Sequence, residues 1–215
     1  MTDADPPHPA PAPAPGRRRR VLRRTVLSAA LTGLLLATYL ALFGWTLRVH
    51  PPTDPPTPVT ALLIRDQLHR GLLLPQPGGG YVEFGFGDWA WYAEGREHWT
   101  RVFATVLWPT PGALSRRELA GADPAAVRAA LPWAQFEDLV VGAAAAERLR
   151  LRLEEQFAAG RVAATQRPAL RMGFVPWARS YWFVDNCSTA VAGWCAELGC
   201  AISGPPLAFD VAAAR

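Results

Sequence analysis

Asp185-Asn-Cys-Ser-Thr-Ala-Val-Ala-Gly-Trp-Cys-Ala-Glu-Leu-Gly-Cys200 sets small or apolar residues at Cys187, Ala190, Val191, Trp194, Cys195 and Leu198. That spacing predicts an amphipathic helix with one buried stripe. Asp185 or Asn186 offers a side-chain acceptor to the first unpaired backbone N–H groups, and Gly199 stands where helices end in the left-handed conformation. Cys187 therefore falls in the first turn, where the positive end of the helix dipole favours a thiolate over a thiol. Thiol hydrolases place their nucleophile this way, although a buried cysteine is also an ordinary small hydrophobe. On one helix Cys187 and Cys195 stand about 12 Å apart, too far to bridge. Cys195 and Cys200 can pair only if the chain folds back after Gly199, which leaves Cys187 as the odd thiol.

The composition narrows the surroundings. All 22 basic residues are arginine, and six of them fall within the first 24 residues beside Asp3 and Asp5. The tail thus carries the whole formal charge of +4, and the remainder is balanced. A balanced remainder has no general nucleic-acid signature, so no nucleic-acid partner is expected.

Residues 2–16 are a Pro/Ala tract, and residues 1–24 read as a disordered basic cytoplasmic tail. Residues 25–47 hold no charge and are rich in Leu and Ala. As a helix this stretch spans about 34 Å, enough for a ~30 Å hydrocarbon core. Arginines on its N-terminal side put that end in the cytoplasm. The expectation is a single-pass anchor in the cytoplasmic (inner) membrane, with the lipid bilayer as partner. Residues 48–58 are Pro-rich and read as a stiff spacer, with an extracytoplasmic (periplasmic) domain over 59–215.

From Val59 the chain turns to short apolar runs. Val59–Ile64, Leu68–Leu74, Tyr81–Phe86 and Arg101–Leu107 read as strands, with turns at Pro75 and Gly78–Gly80. The links are too short for crossover helices, so an α+β fold with a mainly antiparallel sheet packed on helices is expected. His69 and Glu83 stand out as polar residues inside apolar strands. Asp88 precedes Trp89-Ala-Trp-Tyr92 and reads as the cap of a short helical turn. The aromatic cluster around Phe84 and Phe86 reads as core.

Further on, Ser115-Arg-Arg-Glu118 has the form of a capping box within Leu114–Leu131, and Asp123-Pro124 signals a helix start. Ala143–Phe157 is the strongest long helix, with Leu149, Leu153 and Phe157 on one stripe. Arg167–Phe183 reads as irregular and aromatic. No Gly-rich phosphate loop and no Cys/His metal spacing occurs, so neither cofactor nor metal is expected.

The order of a strand histidine, a polar residue on the next strand, and Asn186-Cys187 opening a helix resembles the circularly permuted papain-like superfamily of NlpC-type amidases and lecithin:retinol acyltransferase-like proteins. Within it the chain is similar to a bacterial family of conserved hypothetical membrane proteins, some encoded near urease genes. The segments that carry this are His69-Arg-Gly-Leu-Leu-Leu-Pro75, Val82-Glu-Phe-Gly-Phe-Gly-Asp88 and the Cys187-Ser-Thr helix, across residues 58–205. That family has Thr-Cys-Asn-Thr-Trp at the cysteine. Here the order is Asn186-Cys187-Ser188-Thr189-Ala190, closer to the acyltransferase branch. The resemblance implies a papain-like domain in which Cys187 attacks an amide or ester carbonyl, His69 moves the proton and Glu83 orients the imidazole. A membrane-anchored cysteine hydrolase or acyltransferase is then expected, with a cell-wall peptide or a lipid-linked acyl group as substrate. The other reading is a non-catalytic, membrane-tethered binding or assembly module of the same fold. Convergence of Cys187, His69 and Glu83 on one open cleft separates the two.

Overall fold

The computed structural model describes residues 15–43, 45–66, 69–121, 123–205, 208 and 210–214. Most of the Pro/Ala tract, read above as disordered, lies outside these residues, as does Leu68. Two compact units make up the chain, dividing between Ala41 and Leu42.

The first unit is built on helix α1, Pro15–Phe43. The arginine cluster of the expected tail is continuous with this helix, because proline is tolerated in a first turn and arginine is a good helix former. Among the described residues no helix is long and apolar enough to cross a membrane. The apolar run expected to continue to residue 47 stops as helix at Phe43.

The second unit is α+β. Its elements in order are β1 (Thr46–His50), β2 (Pro58–Asp66), β3 (His69–Pro75), β4 (Tyr81–Asp88), α2 (Trp99–Leu107), β5 (Thr110–Leu119), α3 (Pro124–Ala130), β6 (Gln135–Gly142), α4 (Ala143–Ala159), β7 (Thr165–Arg167), β8 (Met172–Tyr181), α5 (Cys187–Glu197), β9 (Ala201–Ser203) and β10 (Asp210–Ala213). A seven-stranded sheet runs β6-β2-β3-β4-β5-β8-β7, and every neighbouring pair in it is antiparallel. A small sheet runs β10-β1-β9, with β1 parallel to β10. Residues 46–50 thus belong to the fold rather than to the anchor or the spacer. Leu47 and Val49 point into the core and Arg48 does not, a period-2 signal hidden beside the uncharged run.

Helices α4 and α5 cover one face of the large sheet. Leu72, Leu74, Phe84, Phe86 and Leu114 from the strands meet Leu149, Leu153, Val191 and Trp194 from the helices in one buried cluster. Each large side chain so buried contributes roughly 1.5–3 kcal/mol. The reverse face carries two smaller clusters, around Leu62, Ile64 and Leu73, and around Ala113 and Phe174.

Three expectations change. Arg101–Leu107 is helix rather than strand: His98 caps α2 by accepting from Thr100 N, and this end signal outweighs the β-branched composition. Ser115–Glu118 lies in β5, paired throughout with β4 and, at Ser115 and Arg116, also with β8, so ladder formation overrides the local capping signature. Within the stretch read as irregular, Met172–Tyr181 is a ten-residue strand whose register shifts opposite Pro111/Gly112. Such a bulge breaks the period-2 pattern.

Candidate functional site

Asn186 builds the start of α5. Its Oδ1 accepts from the backbone of Ser188 (2.9 Å) and Thr189 (3.2 Å), and its own N–H donates to Thr189 Oγ1 (2.9 Å). Its Nδ2 donates to Phe183 O and Ala208 O, both at 3.0 Å. Asp185, the other capping candidate, instead accepts from Arg179 Nε (2.7 Å). Gly199 takes φ +87°, as a helix end requires of glycine.

Cys187 opens α5 as expected but is only 5 % exposed. Tyr181 Oη donates to its Sγ at 3.9 Å. Burial first, then Cys187, pushes the Tyr181 phenol well above its ordinary range. The Tyr181 ring lies 5.2 Å from that of Phe86, and Trp177 meets Phe86 edge-on at 4.9 Å. Through Tyr181, Cys187 therefore borders the aromatic, helix-covered face of the sheet. All three cysteines are thiols, and burial pushes Cys200 up to about 11.

His69 and Glu83 lie on the reverse face. Along β4, Phe84 and Phe86 enter the helix-covered core, so Glu83, Gly85 and Gly87 point the other way. The His69 ring fills the space over Gly85, with Nε2 only 2.5 Å from where a Cβ there would stand. Ser115 Oγ crowds the same point at 2.6 Å. Tyr92 Oη bonds His69 Nε2 at 2.8 Å, lies 3.0 Å from Met172 Sδ, and accepts from Ser115 at 3.5 Å. An Nε2–H imidazole satisfies all three contacts, with Tyr92 donating to the sulfur. Burial, and then Arg117 and Arg70, lowers His69 to about 3, so it is a weak base at neutral pH.

Glu83 does not orient His69. Opposite it on β5 stands Arg117, whose Nε donates to Glu83 Oε2 at 2.9 Å and whose Nη2 donates to the same oxygen. Arg117 also donates to Leu170 O (3.2 Å) and lies over the Trp133 ring. The pair is 1 % and 5 % exposed. Burial raises the Glu83 carboxyl, and Arg117 opposes that shift.

Of the three residues expected to act together, His69 and Glu83 share the reverse face, while Cys187 opens α5, whose Ala190, Val191 and Trp194 pack on the helix-covered face. Tyr92, which bonds His69, is pushed well above its ordinary range by burial first and, in smaller part, by Cys187. Arg117, Tyr92 and Ser115 complete the surroundings of His69 and Glu83 and were not expected there. The signal for the reverse face was Glu83-Phe-Gly85-Phe-Gly87: alternate positions without side chains invite other side chains to fill the space. Asp88 caps as read, accepting from Trp91 N at 2.6 Å. No protein-family model, no curated protein and no solved structure matches this chain, so its chemistry is argued from its own residues.

Proposed function

We propose that this protein is a membrane-tethered, non-catalytic binding or assembly module whose folded domain lies outside the cytoplasmic membrane. The observation that carries the reading is that His69 and Glu83, the two residues expected to serve Cys187, are each engaged by another side chain. A general base must come within hydrogen-bond reach of its nucleophile, directly or through one water. His69 is instead engaged by Tyr92, and Glu83 by Arg117. The tether is supported by α1 itself. Val26, Leu27, Leu31, Leu34 and Leu35, which share one half of the helix surface, are 58–63 % exposed. Water does not favour such a helix surface, and lipid does. The arginines before Thr25 set the N-terminus inside.

A cysteine hydrolase or acyltransferase is the second reading, favoured by the position of Cys187 in the first turn of α5 beside Tyr181 Oη. In that reading neither His69 nor Glu83 is the base. The pH dependence of Cys187 alkylation, in a chain with Cys195 and Cys200 replaced by Ala, separates the two. The module predicts slow labelling at pH about 6 and no change on His69→Ala. Fast labelling at that pH overturns it, and loss of fast labelling in His69→Ala would restore the Cys–His mechanism.

A further inference from the structure

The small sheet has an outer surface that neither face of the large sheet uses. Arg48 and His50 project from β1 away from the core, and the β1–β10 ladder sets Thr46 beside Asp210 and Arg48 beside Ala212. With Arg65 of β2 and Glu137 of β6 they line an open cavity of about 660 Å³. Small-molecule sites run roughly 300–1,000 Å³. Alanines 212–214 form one wall and leave it free of bulk.

The charges on these walls are unequally engaged. Asp210 accepts from Arg65 Nη2 (2.6 Å), Arg70 Nε (2.8 Å) and its neighbour Val211 N (2.9 Å). Glu137 accepts the Ala213 N–H on Oε2. Among the described residues Glu137 Oε1 has no hydrogen-bond donor and Arg48 has no carboxylate partner. Arg65 keeps further N–H donors beyond the one that faces Asp210. One cavity thus presents a guanidinium, the outer edge of a second, and an open carboxylate oxygen. Guanidinium forks match phosphate oxygens, and a carboxylate matches an ammonium.

We propose that this pocket binds a phosphorylated amine, with phosphate oxygens on Arg48 and Arg65 and the ammonium on Glu137 Oε1. The proposal rests on the reading of the domain as a tethered binding module and names its ligand class. A phosphoethanolamine lipid headgroup and soluble phosphoethanolamine offer the same chemistry.

The test uses the full chain carrying Cys187→Ala, in nanodiscs of phosphatidylcholine, titrated calorimetrically with O-phosphoethanolamine. Saturable binding is expected, weakened at least about tenfold by Arg48→Ala and by Glu137→Gln, as loss of one charged contact implies. Arg48→Lys should fall between, and inorganic phosphate or ethylamine alone should bind at least as weakly as the variants. Melting curves of the variants separate lost binding from lost folding. Nanodiscs containing phosphatidylethanolamine identify the source: competition with the soluble probe marks the headgroup, and an unchanged isotherm marks a soluble ligand. No saturable binding, binding indifferent to both substitutions, or phosphate alone binding as tightly overturns the proposal. Because the thiol is absent, binding retained here alongside fast, His69-dependent alkylation in the parent cysteine would sink the module reading by itself.

Discussion

Phe84 and Phe86 meet leucines, a valine and tryptophans on the helix-covered side of β4, while Glu83 and Gly85, one residue away in each case, meet a guanidinium and an imidazole. The helix-covered side is held by area removed from water, tolerant of small shifts and indifferent to pH. The reverse side is held by polar groups that must each find a partner, because an unpaired buried donor or charge is costly. The function expected from residue type, chain order and resemblance joined Cys187 to His69 and Glu83. The contrast shows what such a reading lacks: a strand carries two environments one residue apart, and chain order does not say which of them a helix will cover.

The largest effect should come from breaking the reverse side. Arg117→Met leaves Glu83 buried without its counter-charge, and urea unfolding should show a loss of about 3–5 kcal/mol. Glu83→Gln together with Arg117→Met should recover much of that loss. If Arg117→Met costs less than about 1 kcal/mol, the buried pair is not what holds this face.

Acid should act on the same side. The folded chain keeps His69 neutral down to about 3, while the unfolded chain takes the proton at about 6.5. The stability this group contributes is whole above pH 6.5 and is lost as pH falls toward 3, by up to about 1.4 kcal/mol per pH unit. The urea midpoint measured from pH 6.5 down to about 5, above most carboxylate titration, should therefore decline, and His69→Gln should flatten the decline. An unchanged slope in that variant would mean that His69 protonates freely when folded.

On the helix-covered side the smallest effect is expected. Asn186→Ala removes the α5 cap and should cost about 1–2 kcal/mol, nearly independent of pH in that window. A pH-dependent loss would instead tie the start of α5 to the titrating face and blur the comparison.

Much of the architecture was readable because its signals are local. Val59–Ile64 and Tyr81–Phe86 are short apolar runs closed by turn residues, and both are strands. Ala143–Phe157 carries its leucines at helical spacing and is α4. Asn186 and Gly199 bracket α5 because cap chemistry depends on a few neighbouring atoms. Where local signals compete with pairing partners far along the chain, they fail: Ser115–Glu118 has a helix-start pattern yet pairs with β4 and, at Ser115 and Arg116, with β8. The same holds for the site. The sequence by itself determined that Cys187 opens a helix and that His69 and Glu83 stand on adjacent strands, since both follow from periodicity and capping. Which face α5 covers, and that Arg117 rather than His69 meets Glu83, only the tertiary structure decided. Those facts depend on strand register and helix docking, which are set by contacts between residues remote in sequence.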